Sequence, residues 1–203
     1  MPHLKLELKH APARVCGVDE AGRGPWAGPV VAAALIFQVH DTKPRGLNDS
    51  KKLDRAAREE IFAKLMDRNI VHGVGIASVE EIDTLNIWGA TQLAMRRAVV
   101  ALSLAPEIAL VDGNLRPKDM PCTVHPVIGG DGISLSIAAA SIIAKVTRDR
   151  IMAEHARTYP HYGFEHHVGY GTPCHQQALA THGVTPLHRR SWAPIRELLE
   201  NAA

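Results

Sequence analysis

Cysteine is scarce in this sequence, and its count is odd. The three cysteines, Cys16, Cys122 and Cys174, lie far apart and have neither the spacing of a metal knuckle nor that of a redox motif. Three thiols cannot all pair within one chain, so a scaffold built on disulfides is excluded and a reducing compartment is favoured. We therefore expect a cytoplasmic protein.

Aromatic residues and long apolar runs are also scarce. Only 4% of the 203 residues are aromatic, so the core must be built from Ala, Val, Ile and Leu. The longest apolar run, 30–37, is too short to span a bilayer, and segment 4–9 alternates apolar and charged residues, unlike a signal peptide. No membrane association is expected. The net charge is only +2, so any nucleic-acid site must be a local basic surface.

The order of the predicted elements indicates an α/β protein. Strands are predicted over residues 4–9, 14–19, 28–37, 70–77, 108–111 and 123–128. Helices are predicted over residues 54–67, 79–85, 86–104, 134–155, 173–181 and 193–200. We expect a catalytic core over residues 1–157 and a helical C-terminal extension, 158–203, that does not fold independently.

Segment 17–30 combines two adjacent carboxylates with a glycine-rich loop. Asp19 and Glu20 follow a β-prone run directly, so a strand end can present their oxygens to hard divalent cations. The loop that follows, Gly22-Arg23-Gly24, has two residues without a Cβ, which lets the backbone approach a ligand, and a guanidinium suited to phosphate. The alternative is a solvated Asp-Glu pair beside an ordinary turn.

Two further acidic residues follow apolar strands. Asp112 ends the run 108–111, and Asp131 follows the strand near 123–128 across a double glycine. Converging carboxylates repel one another, and Mg²⁺ or Mn²⁺ would relieve this repulsion. Two such ions roughly 4 Å apart could activate a water and stabilise a leaving oxygen. Each residue alone is also explained as part of an Asp-Gly turn, so it is their coincidence with Asp19 and Glu20 that favours a metal site.

Seven segments together resemble the bacterial ribonuclease HII family. They are GVDEAGRGP at 17–25, NDSKKL at 48–53, VDGN at 111–114, AASIIAKVTRD at 139–149, YGF at 162–164, GYGT at 169–172 and HRRS at 188–191. The resemblance covers nearly the whole chain and implies a ribonuclease H-like mixed sheet flanked by helices. It also implies endonucleolytic cleavage of the RNA strand of RNA–DNA hybrids and of single ribonucleotides embedded in duplex DNA, leaving 5′-phosphate and 3′-hydroxyl ends.

The resemblance also implies roles for individual residues. Asp19, Glu20, Asp112 and Asp131 match the family's catalytic metal ligands, which bind two Mn²⁺ or Mg²⁺ ions in the active complex. The Gly22-Arg23-Gly24 loop is similar to the family's ribose-sensing element. Tyr170 matches the tyrosine that stacks against the deoxyribose on the 3′ side of an RNA–DNA junction, and ordinary packing in a turn is its alternative. Packing is the preferred interpretation of Tyr162.

Lysines are the predicted phosphate contacts. Lys51 and Lys52 are expected to position the nucleic-acid backbone without reading its sequence, and a solvated charge pair at the start of a helix is the alternative. Lys145 lies on a helix that must pass near Asp131 and is a candidate for phosphate or active-site contact. A monomer suffices for this chemistry, and we expect one.

Other polar clusters have less specific interpretations. His161, His166 and His167 do not match a recognised zinc-ligand spacing. Arg189 and Arg190 are predicted to contact nucleic acid or structural carboxylates. The chain departs from related enzymes in two places. Gly132 stands where a serine is frequent, and Val168 stands where a lysine commonly precedes the Gly-Tyr pair, which removes one possible phosphate contact.

Three alternative functions share some of these sequence features. A DNA recombinase or junction resolvase of the same fold would have no use for a 2′-hydroxyl sensor, because DNA lacks that group. A ribonuclease HIII usually has a substantial extra N-terminal domain, whereas here the signature begins by residue 17. A hybrid-binding module without catalysis predicts lost carboxylates, and all four are present.

Overall fold

A five-stranded mixed sheet forms the centre of the protein in the computed structural model, which describes residues 1–37, 44, 46–47 and 50–201, apart from the Lys51 side chain. Its strands are β1 (Val15–Ala21), β2 (Val30–Ile36), β3 (Val71–Ala77), β4 (Ile108–Asp112) and β5 (Thr123–Val127). The spatial order is β3-β2-β1-β4-β5. Strands β1, β2 and β3 pair antiparallel, whereas β4 and β5 continue parallel to β1. The predicted mixed sheet is confirmed.

Seven helices accompany the sheet in the described part of the chain. They are α1 (Lys5–Leu8), α2 (Arg55–Asp67), α3 (Val79–Val100), α4 (Leu135–Thr158), α5 (Phe164–His167), α6 (Pro173–His182) and α7 (Ala193–Asn201). Side-chain caps explain where several begin: Asp54, Ser78 and Ser134 each accept a hydrogen bond from a backbone amide three residues later. Two separate helices were predicted where α3 runs, and α3 has a kink between them at Asn86, whose φ is +57°.

The predicted strand over residues 4–9 is wrong, because this segment forms the short helix α1. A contact remote in sequence decides its conformation. The Glu7 carboxylate accepts hydrogen bonds from the Ser134 hydroxyl at 2.6 Å, the Ser136 amide at 3.0 Å and the Ser136 hydroxyl at 2.8 Å. An acidic group is stabilised at the positive end of a helix, here the N-terminus of α4. This anchoring outweighs a six-residue alternation of apolar and charged residues.

The sheet is buried on both faces by helices. Along β2, Ala32 and Ala34 belong to the cluster that includes Ala94 of α3, whereas Ala33 and Leu35 belong to the cluster on the opposite face. That second cluster also contains Ile61 and Leu65 of α2 and Ala139 and Ile142 of α4. Successive side chains of a strand point to opposite faces, so the continuous apolar run of β2 serves both layers.

The C-terminal segment packs against the core through a third cluster. Phe164, Leu179 and Ile195 of this segment share it with Ala27 of the β1–β2 connection and Met152 of α4. Backbone hydrogen bonds also join residues 26–28 to residues 169, 187 and 189. These contacts fit an extension that depends on the core, and the boundary at residue 157 stays a prediction. Within the residues described, no helix is both long and apolar enough to cross a membrane.

The close contact between α4 and β1 depends on Gly17. A Cβ placed there would lie 2.2 Å from the backbone nitrogen of Ile137 in α4, a distance that requires the backbone to move. We expect Gly17→Ala to lower the free energy of unfolding in urea by about 1–3 kcal/mol, as overpacking does. Gly132→Ala is the control, since a Cβ at Gly132 meets no atom within 4 Å. Equal unfolding midpoints for the two variants would contradict this account of the α4–β1 contact.

Candidate active site

Three carboxylates converge at one end of the sheet. Val18 of β1 is level with Val111 of the parallel strand β4. Asp19 and Asp112 are the next residues on these two strands, so they lie side by side at the same edge of the sheet. Asp131 reaches them from the 3₁₀ turn Gly130–Gly132 that follows β5. One oxygen of each carboxylate lies within 4.8 Å of the others. Asp19 and Asp131 are buried and Asp112 is half-buried, so the cluster is shielded from bulk water.

Asp19 is the most strongly perturbed of these groups. Burial, followed by the neighbouring charges of Glu20 and Asp112, raises the pKa of the Asp19 carboxyl well above its ordinary value. Two hydrogen bonds act in the opposite direction, one from the Glu20 amide at 2.7 Å and one from the Ser141 side chain. The Ser141 hydroxyl also lies 2.7 Å from that of Ser50. Burial and the neighbouring carboxylates therefore both disfavour the ionised form of Asp19.

Glu20 lies on the opposite face of β1 from Asp19. Asp19 is level with Ala33 of β2, on the α4 face, while Glu20 is level with Ala32, on the α3 face. The Glu20 carboxylate forms an ion pair with Arg23 at 3.2 Å. The Arg23 guanidinium lies 4.7 Å from the centre of the Trp88 ring. Of the four predicted metal ligands, the structure brings three together and places the fourth beside them.

A cavity of about 240 Å³ surrounds this end of the sheet. The predicted residues that line it are Asp19, Glu20, Gly22, Arg23, Gly24, Asp112, Lys145 and Tyr170, and they are joined by Ser50, Arg58, Ser141 and Arg148, which sequence reasoning did not select. Lys145 forms an ion pair with Asp149 at 2.7 Å. Lys52 is exposed outside this lining, and the Lys51 side chain lies outside the described residues.

Tyr170 lies beside the glycine-rich loop with 48% of its surface exposed. A Cβ placed on Gly24 would come within 3.4 Å of the tyrosine ring, so ring and loop are neighbours. Tyr162 is buried and stacks on Phe164 with ring centres 5.4 Å apart, as its packing interpretation predicted. The two tyrosines thus have different environments, and only Tyr170 faces the cavity.

The prediction for Arg189 is wrong. Its side chain is fully buried and donates hydrogen bonds to the backbone carbonyls of Gly22, Arg23 and Gly28, so it contacts neither nucleic acid nor a carboxylate. Arg190 is exposed, and its backbone amide donates to Asp83 at 3.0 Å. Nothing in the local sequence distinguishes the two arginines, because burial is decided by tertiary packing.

Arg148 of α4 is a second buried guanidinium that sequence reasoning missed. It donates to the carbonyls of Pro29 at 2.9 Å, Val168 at 3.0 Å and Ala27 at 3.1 Å. Burial lowers the pKa of Arg148 to about 10 and that of Arg189 to about 9. Both groups therefore stay charged at neutral pH, and both are used to hold backbone.

A mixed sheet with clustered carboxylates at the ends of adjacent parallel strands, flanked by helices on both faces, defines a nuclease of the ribonuclease H class. A family model described as Ribonuclease HII matches residues 16–195. The chain belongs to the ribonuclease HII family, and the resemblance seen in its motifs is confirmed. It is therefore an enzyme, a hydrolase that acts on RNA in RNA–DNA hybrids.

Similar proteins support the assignment over nearly the full chain. The ribonuclease HII of Parvibaculum lavamentivorans is 59% identical over 201 residues, which cover 98% of this chain and 74% of that protein. The ribonuclease HII of Magnetococcus marinus is 56% identical, with 98% of this chain and 95% of that protein covered. The crystal structure of ribonuclease H2 from Pyrococcus horikoshii OT3 matches with a TM-score of 0.78 at 30% identity, covering 93% of this chain and 98% of that one.

The raised pKa of Asp19 predicts that its ionised carboxylate lowers the stability of the metal-free protein. A carboxyl whose pKa is raised by folding destabilises the folded state once it ionises, so its unfavourable contribution grows as pH rises from its ordinary pKa through the folded value. We expect Asp19→Asn to raise the thermal unfolding temperature of the metal-free protein, more at pH 8 than at pH 4. Asp67→Asn is the control, since Asp67 is exposed at the end of α2. A lower unfolding temperature for Asp19→Asn at pH 8 would contradict the prediction.

Proposed function

We propose that this protein is a divalent-cation-dependent endonuclease that cleaves the RNA strand of RNA–DNA hybrids and single ribonucleotides embedded in duplex DNA, leaving 5′-phosphate and 3′-hydroxyl ends. The observation that supports this most directly is the convergence of Asp19, Asp112 and Asp131. Asp19 and Asp112 line a cavity that they share with the Gly22-Arg23-Gly24 loop and Tyr170. Chemistry and recognition of the substrate then occur side by side.

The donor set fits hard cations. Asp19, Asp112 and Asp131 offer only carboxylate oxygens, and among the described residues no cysteine or histidine joins them, which favours Mg²⁺ or Mn²⁺ over zinc. Like charges this close repel, and a cation relieves the repulsion. We assign these three residues and Glu20 as the ligands of two ions. When bound, the ions supply an activated water and charge stabilisation at the leaving oxygen.

Arg23 links substrate binding to the carboxylates. Arg23 lines the cavity, and its guanidinium pairs with Glu20 and lies over the Trp88 ring. Phosphate is a bidentate partner that competes well with a single carboxylate contact. We infer that a substrate phosphate draws Arg23 away from Glu20, and that Glu20 then turns towards the other carboxylates. Lys51, Lys52 and Lys145 are the proposed contacts to further phosphates, which position the duplex without specifying its sequence.

The backbone of the glycine-rich loop is proposed to read the ribose. The buried Arg189 guanidinium donates hydrogen bonds to the carbonyls of Gly22 and Arg23, so these carbonyls point into the protein. In a planar trans peptide, the carbonyl and the following amide point in opposite directions. The amides of Arg23 and Gly24 therefore point away from Arg189. An outward amide on a residue without a Cβ can approach a 2′-hydroxyl closely, and that hydroxyl distinguishes RNA from DNA.

Tyr170 is proposed to recognise the next sugar. Its half-exposed ring lies beside Gly24, so a nucleotide bound at the loop would place its 3′ neighbour against the ring. A deoxyribose presents an apolar edge there, whereas a 2′-hydroxyl would be desolvated without a partner. The loop and the ring together select an RNA–DNA junction. The monomeric state and the cytoplasmic location stay predictions.

The metal assignment predicts complete loss of cleavage in two variants. Asp19→Asn and Asp112→Asn keep side-chain shape but remove the charge that holds the cations. We expect neither variant to cut a labelled DNA duplex containing one ribonucleotide, and we expect Asp67→Asn to cut it normally. A near-normal rate in either active-site variant at saturating Mg²⁺ is incompatible with the assignment.

A binding measurement separates metal loss from misfolding. Mg²⁺ or Mn²⁺ should raise the thermal unfolding temperature of the wild type, because a ligand that binds only the folded state stabilises it. The same ions should leave the unfolding temperature of Asp112→Asn unchanged. An all-DNA duplex in the same cleavage assay tests the resolvase alternative, and its cleavage would argue against ribose recognition.

The proposed role of Tyr170 predicts a selective defect. Tyr170→Ala should lower kcat/KM on the single-ribonucleotide duplex by about 10- to 100-fold, since stacking on a nucleotide contributes roughly 1–3 kcal/mol. The thermal melt should be unchanged because the ring is half exposed. Tyr170→Phe, which keeps the ring, is the matched control. A normal rate for Tyr170→Ala with a normal melt would leave Tyr170 as a packing residue only.

A further inference from the structure

Two buried histidines form a hydrogen-bonded chain that allows only one arrangement of protons. The Thr185 amide donates to Nδ1 of His188 at 3.0 Å, so in a neutral ring the His188 proton is on Nε2. That nitrogen lies 2.9 Å from Nε2 of His175, which must then accept. The His175 proton is therefore on Nδ1, 2.9 Å from the carbonyl oxygen of Tyr170. The chain runs in one direction, from Thr185 to Tyr170.

The surroundings keep both rings neutral. His175 and His188 are almost completely buried, and burial lowers the pKa of each to about 4. His167 stacks on His175 with ring centres 4.6 Å apart and accepts the Gly169 amide at its own Nδ1. An added proton on either buried ring would find a donor where it needs an acceptor. At neutral pH the hydrogen-bonded chain from Thr185 to Tyr170 is thus complete, and both histidine rings are uncharged.

The end of this chain is the main chain of Tyr170. The Tyr170 amide donates to the His167 carbonyl at 2.9 Å, and its own carbonyl accepts from His175 and, at 2.8 Å, from the Thr172 amide. The ring itself is half exposed, so packing alone does not set its direction. The position of the ring follows from the backbone that these bonds hold.

We propose that His175 and His188 are positioning residues for Tyr170, and that they set how strongly the enzyme prefers a deoxyribose on the 3′ side of the ribonucleotide. This inference rests on the proposed function of Tyr170. Neither histidine touches substrate. They act through one carbonyl, and a small displacement of a positioning group is enough to change a rate substantially.

Amide isosteres of His175 separate this role from simple core packing. An asparagine amide lies near the position of Nδ1, whereas a glutamine amide lies near that of Nε2. His175→Asn can therefore still donate to the Tyr170 carbonyl, while His175→Gln keeps only the contact with His188. Both variants remove part of a buried ring, so both should be destabilised. We expect kcat/KM on the single-ribonucleotide duplex to be about tenfold lower for His175→Gln than for His175→Asn.

The pattern should invert at His188. There, Gln keeps a donor for Nε2 of His175, whereas Asn keeps only the acceptor for the Thr185 amide. We expect His188→Asn to lower the preference for the junction over a uniform RNA–DNA hybrid more than His188→Gln does. A residue that merely fills the core has no reason to distinguish Asn from Gln in opposite senses at two neighbouring positions.

Two further measurements complete the test. In a Tyr170→Ala background, the difference between His175→Asn and His175→Gln should disappear, because coupled residues are not additive. Independently of activity, ¹⁵N NMR of the histidine rings at pH 7 should show the proton of His175 on Nδ1 and that of His188 on Nε2. The opposite tautomers, equal rates for the Asn and Gln variants, or a difference that persists without the Tyr170 ring would each overturn the positioning role. Failure of the wild type to cut at an embedded ribonucleotide would instead overturn the proposed function.

Discussion

Two buried guanidinium groups hold the backbone on which the active site is built. Arg148 donates to the carbonyls of Ala27, Pro29 and Val168, and Arg189 donates to those of Gly22, Arg23 and Gly28. All six acceptors are neutral carbonyl groups. Because the donors are charged, these hydrogen bonds are stronger than bonds between two neutral groups. Each side chain thereby ties several peptide units to one rigid, planar fork. The loop between β1 and β2 has its shape because of these two forks.

The constraint also joins the C-terminal segment to the core. Arg189 belongs to residues 158–203 and Arg148 to α4, yet both bind the same loop. Gly22 fits between them only as glycine: its φ is +96°, and a Cβ there would lie 2.1 Å from Nε of Arg148. Loop conformation, close approach and buried charge therefore require one another. Loss of any one leaves a buried cation or a carbonyl without its partner, which is costly.

Sequence reasoning located the carboxylates and most of the fold because those signals are local. Asp112 is the last residue of β4 and Asp19 lies two residues before the end of β1, and parallel pairing brings these neighbouring positions together. It failed where a distant partner decides the outcome. Glu7 turns segment 4–9 into a helix by binding the start of α4, 127 residues away in sequence. Arg189 is buried by carbonyls more than 160 residues away. Val168 adopts a φ of +45°, unusual for a β-branched residue, while its carbonyl binds Arg148.

The hydrogen bonds of the two guanidinium groups also bear on the carboxylates of the candidate metal site. Arg148 lines the same cavity as Asp19, and an arginine there would ordinarily form an ion pair with a carboxylate and neutralise it. Here its nitrogen donors are directed at backbone oxygens, so its charge is used for structure. Asp19, Asp112 and Asp131 lie together as a carboxylate cluster, and burial, followed by the charges of Glu20 and Asp112, raises the pKa of Asp19. Under the proposed function, divalent cations would relieve the repulsion within this cluster, while the backbone held by Arg148 and Arg189 would keep the Gly22-Arg23-Gly24 loop beside it.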